Sequence, residues 1–461
     1  MASSSYFFFF SSFFFLSLLS IFPSNSSLTI PISHFHTNPS QDPYQNLNSL
    51  VSSSLTRAFH LKNPQTTTTT TRTSVSSHSY GGYSISLSFG TPPQTIPFIL
   101  DTGSHLVWFP CTTHYLCNNC SFSKIQSFIP KKSSSSKILG CQNPKCSWIH
   151  DRNLKCRDCD GSDKNCTQIC PPYLVLYGSG NTGGIALSET LNLPNNRTIT
   201  DFLVGCSVTS SRQPAGIAGF GRGQTSLPSQ LNLNKFSFCQ LSHKLDDTRR
   251  TSSLLLDTGS VSAKKTSELI YTPFININNK NNNNPREFSV YYYLGLRRIT
   301  VGGRHVKIPF KYLSPENDGN GGTIIDSGTT FTFMTRHVFE PLINELVSQV
   351  KKNYSRAVDA EAKTGLSPCF DISGEKTVSG FPELKFHFKG GADMSIPVEN
   401  YLAVVDGDQS STTTCFTVVS DPPEVVTGGP AIILGNFQMQ NYYVEYDLRN
   451  ERLGFNQQQC Q

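Results

Sequence analysis

The sequence of 461 residues is poor in charge, because Asp, Glu, Lys and Arg make up only 15% of it. Basic residues exceed acidic ones by 38 − 32 = 6, and no run of five basic residues occurs. Nucleic-acid-binding surfaces need concentrated positive charge, so this pattern argues against a nucleic-acid partner. Aromatic residues contribute 11%, and a chain of this length and composition is expected to fold into two or three globular domains.

Two common catalytic patterns are absent. The 11 histidines show no H-E-x-x-H spacing, and no G-x-S-x-G occurs. The sequence therefore lacks the pattern of a helix-borne zinc site and that of a serine nucleophile on a sharp turn. We predict no metal site and no cofactor.

The N-terminus has no acidic residue before Asp42 and no arginine before Arg57. Residues 7–22 are apolar apart from serine. That length and position are typical of a secretory signal and short for a membrane span. We predict a signal peptide over residues 1–25, with a signal anchor as the alternative, and no stable membrane span.

Residues 26–79 are rich in Ser, Thr and Asn and include the threonine run 66–71. They show no apolar periodicity, which predicts either a removable propeptide or a disordered segment. From Tyr80 onward, short apolar or alternating runs such as "YSISLSFG" (83–90) are separated by Gly, Pro and Asn, as in β-strands. The best helix candidate covers 337–352, and a shorter one follows Ser226. The fold class is therefore predicted as mainly β.

The 14 cysteines favour an oxidising compartment and disulfides. Nine of them lie between Cys111 and Cys170, so a fully oxidised segment needs at least one bridge to a cysteine outside it. The C-x-x-C spacings at Cys117/Cys120 and Cys156/Cys159 leave a zinc site open as an alternative. Glycosylation sequons, which suit a secreted glycoprotein, occur at Asn119, Asn165, Asn196 and Asn353.

Three acidic turns resemble one another: "DTGS" at Asp101, "DTGS" at Asp257 and "DSGT" at Asp326. Apolar runs flank Asp101 and Asp326 on both sides, so packing can fix those carboxylates between buried strands. The residues after Asp257 are polar and basic, which indicates a strand that runs out into solvent. We expect no catalytic role for Asp257.

A second pattern separates the same turns. Gly219 in "GIAGFGRG" follows Asp101 by 219 − 101 = 118 residues, and Gly435 in "AIILGNFQ" follows Asp326 by 435 − 326 = 109 residues. Both segments suit close passage of backbone beside a buried turn. No such segment lies at the matching offset from Asp257. The chain is therefore predicted to contain an internal duplication with two working turns.

These turns belong to a wider set of motifs. "ILDTGSHLVWFPC", "YGSGNTGG", "GIAGFGRG", "IIDSGTTFTF" and "IILGNFQMQNYYVEYD", in this order, resemble the pepsin family of aspartic proteases over about residues 80–460. The cysteine-rich insertion 111–170 resembles the plant nepenthesin-like branch. The resemblance implies a bilobal pepsin-like fold with the active-site cleft between two β-rich lobes. The N-terminal lobe would span 80–268 and carry Asp101, and the C-terminal lobe would span 269–461 and carry Asp326.

The resemblance also implies a mechanism. Two close carboxylates share one proton, so one acts as general base on a water and the other as general acid on the scissile carbonyl. Such an enzyme is an endopeptidase that acts at acidic pH on proteins or peptides, is made as a zymogen, and works as a monomer outside the cell, in the cell wall or in the vacuole. Residues expected to support the dyad are Thr102, Gly103, Ser104, Ser327, Gly328 and Thr329.

Further roles come from the same resemblance. Tyr177 and Gly178 match the flap that closes over substrate, and Trp108 matches the aromatic residue that bonds to the flap tyrosine. The implied disulfides are Cys369–Cys415 and Cys239–Cys460. Cys206 would then pair with a cysteine of the insertion.

Two positions depart from the branch. Ser179 replaces the usual flap acid, and His105 follows the first turn, where a protonated imidazole would lower the alkaline limb of the pH profile. A non-enzymatic binding protein is the alternative function, because plant glycosidase-inhibiting proteins resemble pepsin with a damaged dyad. Both turns are intact here, which favours the enzyme.

Overall fold

The structure, a computed structural model, describes residues 27–34, 42–62, 82–120, 125–150, 156, 159, 166–177, 180–213, 215–243, 251–258, 266–277, 288–372, 378, 380–406, 412–422 and 428–460. The predicted signal peptide lies outside these residues, as do Gly178, Ser179 and the sequon at Asn165. No helix in the described ranges is both long and apolar enough to cross a membrane.

The described part of the chain is mainly β, as predicted. The strands of its first half are β1 (Ser27–His34), β2 (Tyr83–Phe89), β3 (Gln94–Asp101), β4 (Trp108–Pro110), β5 (Leu116–Asn118), β6 (Lys137–Ile138), β7 (Tyr173–Tyr177), β8 (Gly180–Leu193), β9 (Arg197–Ser211), β10 (Gly216–Gly219), β11 (Lys235–Cys239), β12 (Thr251–Asp257) and β13 (Ile270–Pro273). Those of its second half are β14 (Tyr292–Leu294), β15 (Leu296–Val301), β16 (Arg304–His305), β17 (Thr323–Ile325), β18 (Thr332–Met334), β19 (Ser355–Arg356), β20 (Cys369–Asp371), β21 (Leu384–Phe388), β22 (Ala392–Ile396), β23 (Leu402–Asp406), β24 (Thr412–Phe416), β25 (Val418–Ser420), β26 (Ile432–Leu434), β27 (Tyr442–Asp447) and β28 (Arg452–Gln457).

Helices are few and mostly short. They are α1 (Pro43–Lys62), α2 (Cys146–Ile149), α3 (Leu227–Gln230), α4 (Phe310–Leu313), α5 (Arg336–Val350) and α6 (Val358–Thr364), with 3-10 turns at Pro130–Lys132, Phe288–Val290 and Val398–Asn400. Both predicted helices are present: α5 buries Val338, Leu342, Leu346 and Val350, and α3 begins after Ser226, whose side chain accepts the Ser229 N–H.

The predicted duplication is visible in the strand pairing. One set of neighbours runs β2-β3-β10-β4-β9, and the other runs β14-β17-β26-β18-β25. In both sets the successive pairings are antiparallel, parallel, antiparallel and parallel. Each set forms the core of one lobe, so both acidic turns rest on the same arrangement of strands.

A larger sheet joins the two halves of the chain. Its strand order is β13-β28-β27-β11-β12-β1-β2-β3-β10-β4-β9-β8-β6. The C-terminal strand β27 therefore pairs with β11, which belongs to the part of the chain before residue 268. The predicted lobe boundary between residues 268 and 269 stays a prediction.

The expectation of a disordered segment is wrong for two parts of residues 26–79. Strand β1 pairs with β12 over seven residues and with β2 over three. Helix α1 buries a stripe consisting of Leu47, Leu50, Val51, Ser54, Arg57, Ala58, Leu61 and Lys62. Polar and charged members interrupt this stripe, which is why no apolar periodicity was evident in the sequence. The propeptide alternative stays a prediction.

All 14 cysteines form disulfides, and none is free. The implied pairs Cys369–Cys415 and Cys239–Cys460 are present, and Cys206 joins the insertion through Cys111. The remaining pairs are Cys117–Cys120, Cys141–Cys156, Cys146–Cys170 and Cys159–Cys166. The disulfide prediction is confirmed, and the zinc alternative loses its thiolate ligands.

Candidate active site

The two candidate aspartates lie at equivalent points of the two lobes. Asp101 is the last residue of β3, and Gly219 of the parallel strand β10 lies beside it. Asp326 directly follows β17. Its N–H donates at 3.0 Å to the carbonyl oxygen of Leu434, the last residue of β26. Asp101 is 2% exposed and Asp326 is fully buried. Packing on both sides of each turn therefore fixes the two carboxyl groups.

Each carboxylate receives the same pair of local hydrogen bonds. Oδ1 of Asp101 accepts the Gly103 N–H at 3.0 Å, and Oδ2 accepts the Ser104 hydroxyl at 2.5 Å. For Asp326 the matching distances are 2.9 Å from the Gly328 N–H to Oδ1 and 2.6 Å from the Thr329 hydroxyl to Oδ2. The backbone donors orient one oxygen and the hydroxyls orient the other, so both carboxylates have defined orientations.

The turns are also bonded to each other. The Thr102 hydroxyl accepts the Ser327 N–H at 2.9 Å, and the Ser327 hydroxyl accepts the Thr102 N–H at 3.1 Å. The Ser327 hydroxyl donates in turn to Leu100 O at 3.0 Å. Because Leu100, Thr102 and Ser327 are all buried, these bonds hold the two lobes together directly behind the carboxylates.

Glycine is required where the turns face each other. A Cβ atom on Gly103 would lie 2.6 Å from Asp326 Oδ1, and one on Gly328 would lie 2.5 Å from Asp101 Oδ1. Both separations are well below van der Waals contact. Any side chain at either position would push the two carboxylates apart, so glycine at the third position of both motifs has a direct steric reason.

The third turn is not part of the site. Asp257 ends β12, where it is paired with Ser27 of β1 and Lys235 of β11 in the sheet that joins the lobes. Its motif therefore marks the end of a strand in that sheet. This placement agrees with the expectation that Asp257 has no catalytic role.

The flap residue reaches the site from β7. The Trp108 indole N–H donates to the Tyr177 hydroxyl at 2.8 Å, and both side chains are buried. This is the contact that the family resemblance implied. Gly178, at the tip of the predicted flap, lies outside the described residues.

His105 does not behave as expected. Its Nδ1 is 2.6 Å from the Thr225 hydroxyl, so the ring is bonded to Thr225 and to neither aspartate. Burial lowers the pKa of His105, because a charged imidazole loses its hydration there. The expectation that a protonated His105 acts on the dyad is therefore wrong.

An unexpected residue bonds to both aspartates. Arg57, on the buried face of α1, donates from Nη2 to Asp101 Oδ1 at 2.6 Å and from Nε to Asp326 Oδ2 at 3.1 Å. Arg57 is itself only 7% exposed. Its guanidinium thus covers the functional oxygens of the dyad.

The charges of this buried triad depend on one another. Burial raises the pKa of Asp101 to about 6, against the opposing effect of Arg57. Burial also disfavours the Asp326 anion, but the Arg57 charge and the hydrogen bonds outweigh it, so the pKa of Asp326 is lowered. Burial disfavours the Arg57 cation too, yet the two carboxyl groups outweigh it and raise its pKa. Arg57 is therefore charged at every physiological pH.

Other residues of α1 occupy the cleft on either side of Arg57. The Ser54 hydroxyl accepts the Phe331 N–H at 3.0 Å. The His60 ring lies 6.3 Å from the Tyr177 ring, and burial lowers the pKa of His60 to about 4. Apolar residues of α1 pack in one cluster with cleft residues, among them Tyr291, Tyr293, Phe331 and Phe333. The helix is thus fitted to the cleft along its length.

Sequence reasoning missed Arg57 as a functional residue. One signal was available: Leu47, Leu50, Ala58 and Leu61 follow helical spacing, and Arg57 falls on the same face. An arginine on the buried face of an amphipathic helix requires a buried acidic partner. The two predicted aspartates were the obvious candidates for that partner.

The fold and this geometry define a class of protein. Two like lobes each contribute one buried carboxylate on a D-[TS]-G turn, and the hydrogen bonds between the turns hold the pair face to face. Such a pair can share one proton and activate water without a covalent intermediate, which is the arrangement of an aspartic peptidase.

Comparisons with known proteins give the family. The family profiles described as "Xylanase inhibitor N-terminal" and "Xylanase inhibitor C-terminal" match residues 83–257 and 291–457. A "Probable aspartyl protease" of Arabidopsis thaliana is 31% identical over 422 residues, with 82% of each chain covered. "Aspartic proteinase nepenthesin-1" of Nepenthes gracilis is 30% identical over 386 residues, covering 82% of this chain and 78% of the relative. The chain belongs to the pepsin-like aspartic proteases, in their nepenthesin-like branch, and is an aspartic-type endopeptidase.

Solved structures agree on the fold. The structure titled "Crystal structure of edgp" matches with a TM-score of 0.63 at 18% identity, covering 94% of this chain and 95% of that one. Basic 7S globulin from soybean matches with a TM-score of 0.60 at 16% identity, covering 94% and 98%. At these identities the likeness concerns the bilobal fold alone.

Proposed function

We propose that this protein is a secreted endopeptidase that hydrolyses peptide bonds at acidic pH through Asp101 and Asp326. The observation that carries the proposal is the matched environment of the two carboxylates: each has one backbone and one hydroxyl donor, and the turns are cross-bonded. One ionised aspartate takes a proton from water while the other donates a proton to the carbonyl oxygen of the substrate. The product of attack is a gem-diol, which then collapses to a carboxylic acid and an amine.

The acidic pH range follows from the shared proton. Once both carboxyl groups ionise, the general acid is lost, and once both are protonated, the general base is lost. The rate should therefore be bell-shaped in pH, with its optimum in acid.

We further propose that the chain is made as an inactive precursor. Arg57 neutralises the dyad and α1 fills the cleft beside it, so substrate has no access while the helix is bound. Removal of a propeptide that ends near residue 79 would open the cleft. The seven disulfides suit a chain that passes through the secretory pathway to the cell wall, the extracellular space or the vacuole.

A binding protein without peptidase activity is the second candidate. It is favoured by the two matching family profiles, which are described as xylanase inhibitor domains. The geometry favours the enzyme, since a binder has no need for two oriented buried carboxylates that cost stability to bury.

Activity on a denatured protein at acidic pH, and its block by pepstatin, separates the two candidates. Asp326→Asn should abolish turnover, because it removes one of the two proton-transferring groups. Asp257→Asn is the matched control and should keep full activity, since that residue has the same motif outside the cleft. A folded Asp326→Asn protein with wild-type turnover would refute the two-aspartate mechanism.

A further inference from the structure

A second charged contact between α1 and the cleft lies apart from the dyad. Lys62, the last residue of α1, places Nζ 3.5 Å from Asp421 Oδ2. The side chains of Lys62 and Asp421 are 1% and 6% exposed. Lys62 is the only cationic side chain that forms an ion pair with Asp421 among the described residues. A lysine this deeply buried needs a site that is shaped for it.

The site has the parts that a lysine side chain requires. Asp421 supplies the negative charge, and the Phe333 ring lies 4.8 Å from Nζ, within the range of a cation–π contact. The backbone at Gly429 closes over the base of the side chain, since a Cβ there would lie 2.7 Å from Lys62 Cα. The apolar stem and the charged end of Lys62 thus have separate complementary surfaces.

Asp421 is held in place independently of Lys62. Its Oδ1 accepts the Arg336 N–H at 2.8 Å, the first backbone donor of α5, and the Ser420 hydroxyl at 3.3 Å. The N-terminus of a 15-residue helix favours an anion at this position. The carboxylate therefore keeps its position and orientation when α1 leaves, but it loses its cation.

The position of Asp421 along the cleft matches a substrate side chain near the scissile bond. Lys62 follows Arg57 by five residues in α1, which is about 7–8 Å along a helix axis. An extended peptide covers that distance in roughly two residues, at about 3.3 Å each. A substrate whose scissile carbonyl lies at the dyad would therefore place a side chain close to Asp421, two residues away.

We propose that Asp421 and Phe333 form a subsite for a lysine or arginine of the substrate, and that Lys62 occupies this subsite in the precursor. This inference rests on the proposed peptidase function and on removal of α1. When α1 leaves, Asp421 loses its cation, and a substrate cation at this position restores a contact that the precursor makes for itself. The enzyme is then selective for peptides with one basic residue about two positions from the bond it cuts.

The test uses the processed enzyme and a set of neutral parent peptides. Lysine, Nε-acetyl-lysine or norleucine is placed in turn at each of three positions on either side of the scissile bond, and kcat/KM is measured at the acidic optimum. We expect lysine to exceed both uncharged analogues by roughly tenfold or more at one position, as close charge pairs at interfaces do. The analogues keep the stem, so the ratio isolates the charge.

Asp421→Asn keeps the size of the side chain and its acceptor for the Arg336 N–H. It should bring the lysine-to-norleucine ratio at that position close to one. Asp393→Asn, an exposed acidic residue on β22 that pairs with His387, is the control and should leave the ratio at its wild-type value. Equal kcat/KM values of the wild-type enzyme for the lysine and norleucine peptides, at all six peptide positions, would refute the proposed subsite. This result does not depend on whether Asp421→Asn folds. Failure to cleave any peptide, with no pepstatin binding, would instead refute the proposed function and this inference with it.

Discussion

Replacing Arg57 by glutamine tests the precursor in the most direct way. Arg57 makes two charged contacts with buried carboxylates, at 2.6 Å to Asp101 and 3.1 Å to Asp326. Removing one partner of a buried ion pair typically costs about 3–5 kcal/mol. The two aspartates can relieve part of that cost by sharing a proton, so we take the lower end, about 3 kcal/mol. Each 1.4 kcal/mol is about tenfold, so the ratio of open to closed precursor should rise by roughly 100-fold.

The assay is the initial rate of the full-length precursor on a small fluorogenic peptide. Mass spectrometry on the same samples must show that the chain still carries α1, so that opening is not confused with processing. Arg304→Gln removes a similar charge from an exposed pair with Glu345 and serves as the control. Equal initial rates for Arg57→Gln, Arg304→Gln and wild type would refute the view that Arg57 holds the cleft shut.

The pH dependence of opening has a definite sign. The Arg57 charge and the local hydrogen bonds lower the pKa of Asp326 against the opposing effect of burial, so the closed precursor binds fewer protons at Asp326 than the open one. Lower pH therefore favours opening. The effect should appear as the pH falls through the ordinary range of an aspartate, about 4, where Asp326 of the open precursor takes up its proton. In Arg57→Gln this dependence should be much weaker, because the charge that lowers the pKa of Asp326 is gone.

Two further predictions concern residues around the dyad. Trp108→Phe keeps the ring packing but removes the indole donor to the Tyr177 hydroxyl. Loss of this buried hydrogen bond, worth about 1 kcal/mol, should lower kcat/KM by several-fold with little change in thermal stability. An unchanged kcat/KM would argue against a role for that bond in positioning the flap. His105→Ala should leave both limbs of the pH–rate profile in place, because the ring is bonded to Thr225 and not to the dyad, and burial lowers its pKa. A shift of the alkaline limb on one peptide substrate would contradict this.

The sequence was sufficient to find the dyad for a physical reason. Asp101 and Asp326 need buried strands on both sides, and burial leaves a strong pattern of apolar residues. Asp257 has the same four letters, but polar residues follow it, and the structure has it at the end of β12. The fold class and the disulfides Cys369–Cys415 and Cys239–Cys460 were predictable because the family motifs extend over most of the chain.

The role of α1 was not predictable in the same way. Ser54, Arg57 and Lys62 are buried only because the cleft supplies the Phe331 N–H, the two aspartates and Asp421 as partners. In the sequence, these polar residues interrupt the helical spacing of the apolar residues on the buried face of α1. Local patterns indicate whether a segment is buried against apolar surface, whereas this helix buries charges against charges that lie 44 to 359 residues away in the chain.

The place of β11 in the large sheet has a consequence for the order in which the chain can fold. Strand β11 pairs with β27, about 200 residues later in the chain, and Cys239 pairs with Cys460, at a sequence separation of 221. During synthesis the chain emerges N-terminus first, and long-range pairing must wait for the later segment. Cys460 is the most C-terminal of the 14 cysteines. The Cys239–Cys460 bridge is therefore the last of these seven disulfides that the growing chain can form, and the sheet that joins the lobes stays incomplete until β27 and β28 have been synthesised.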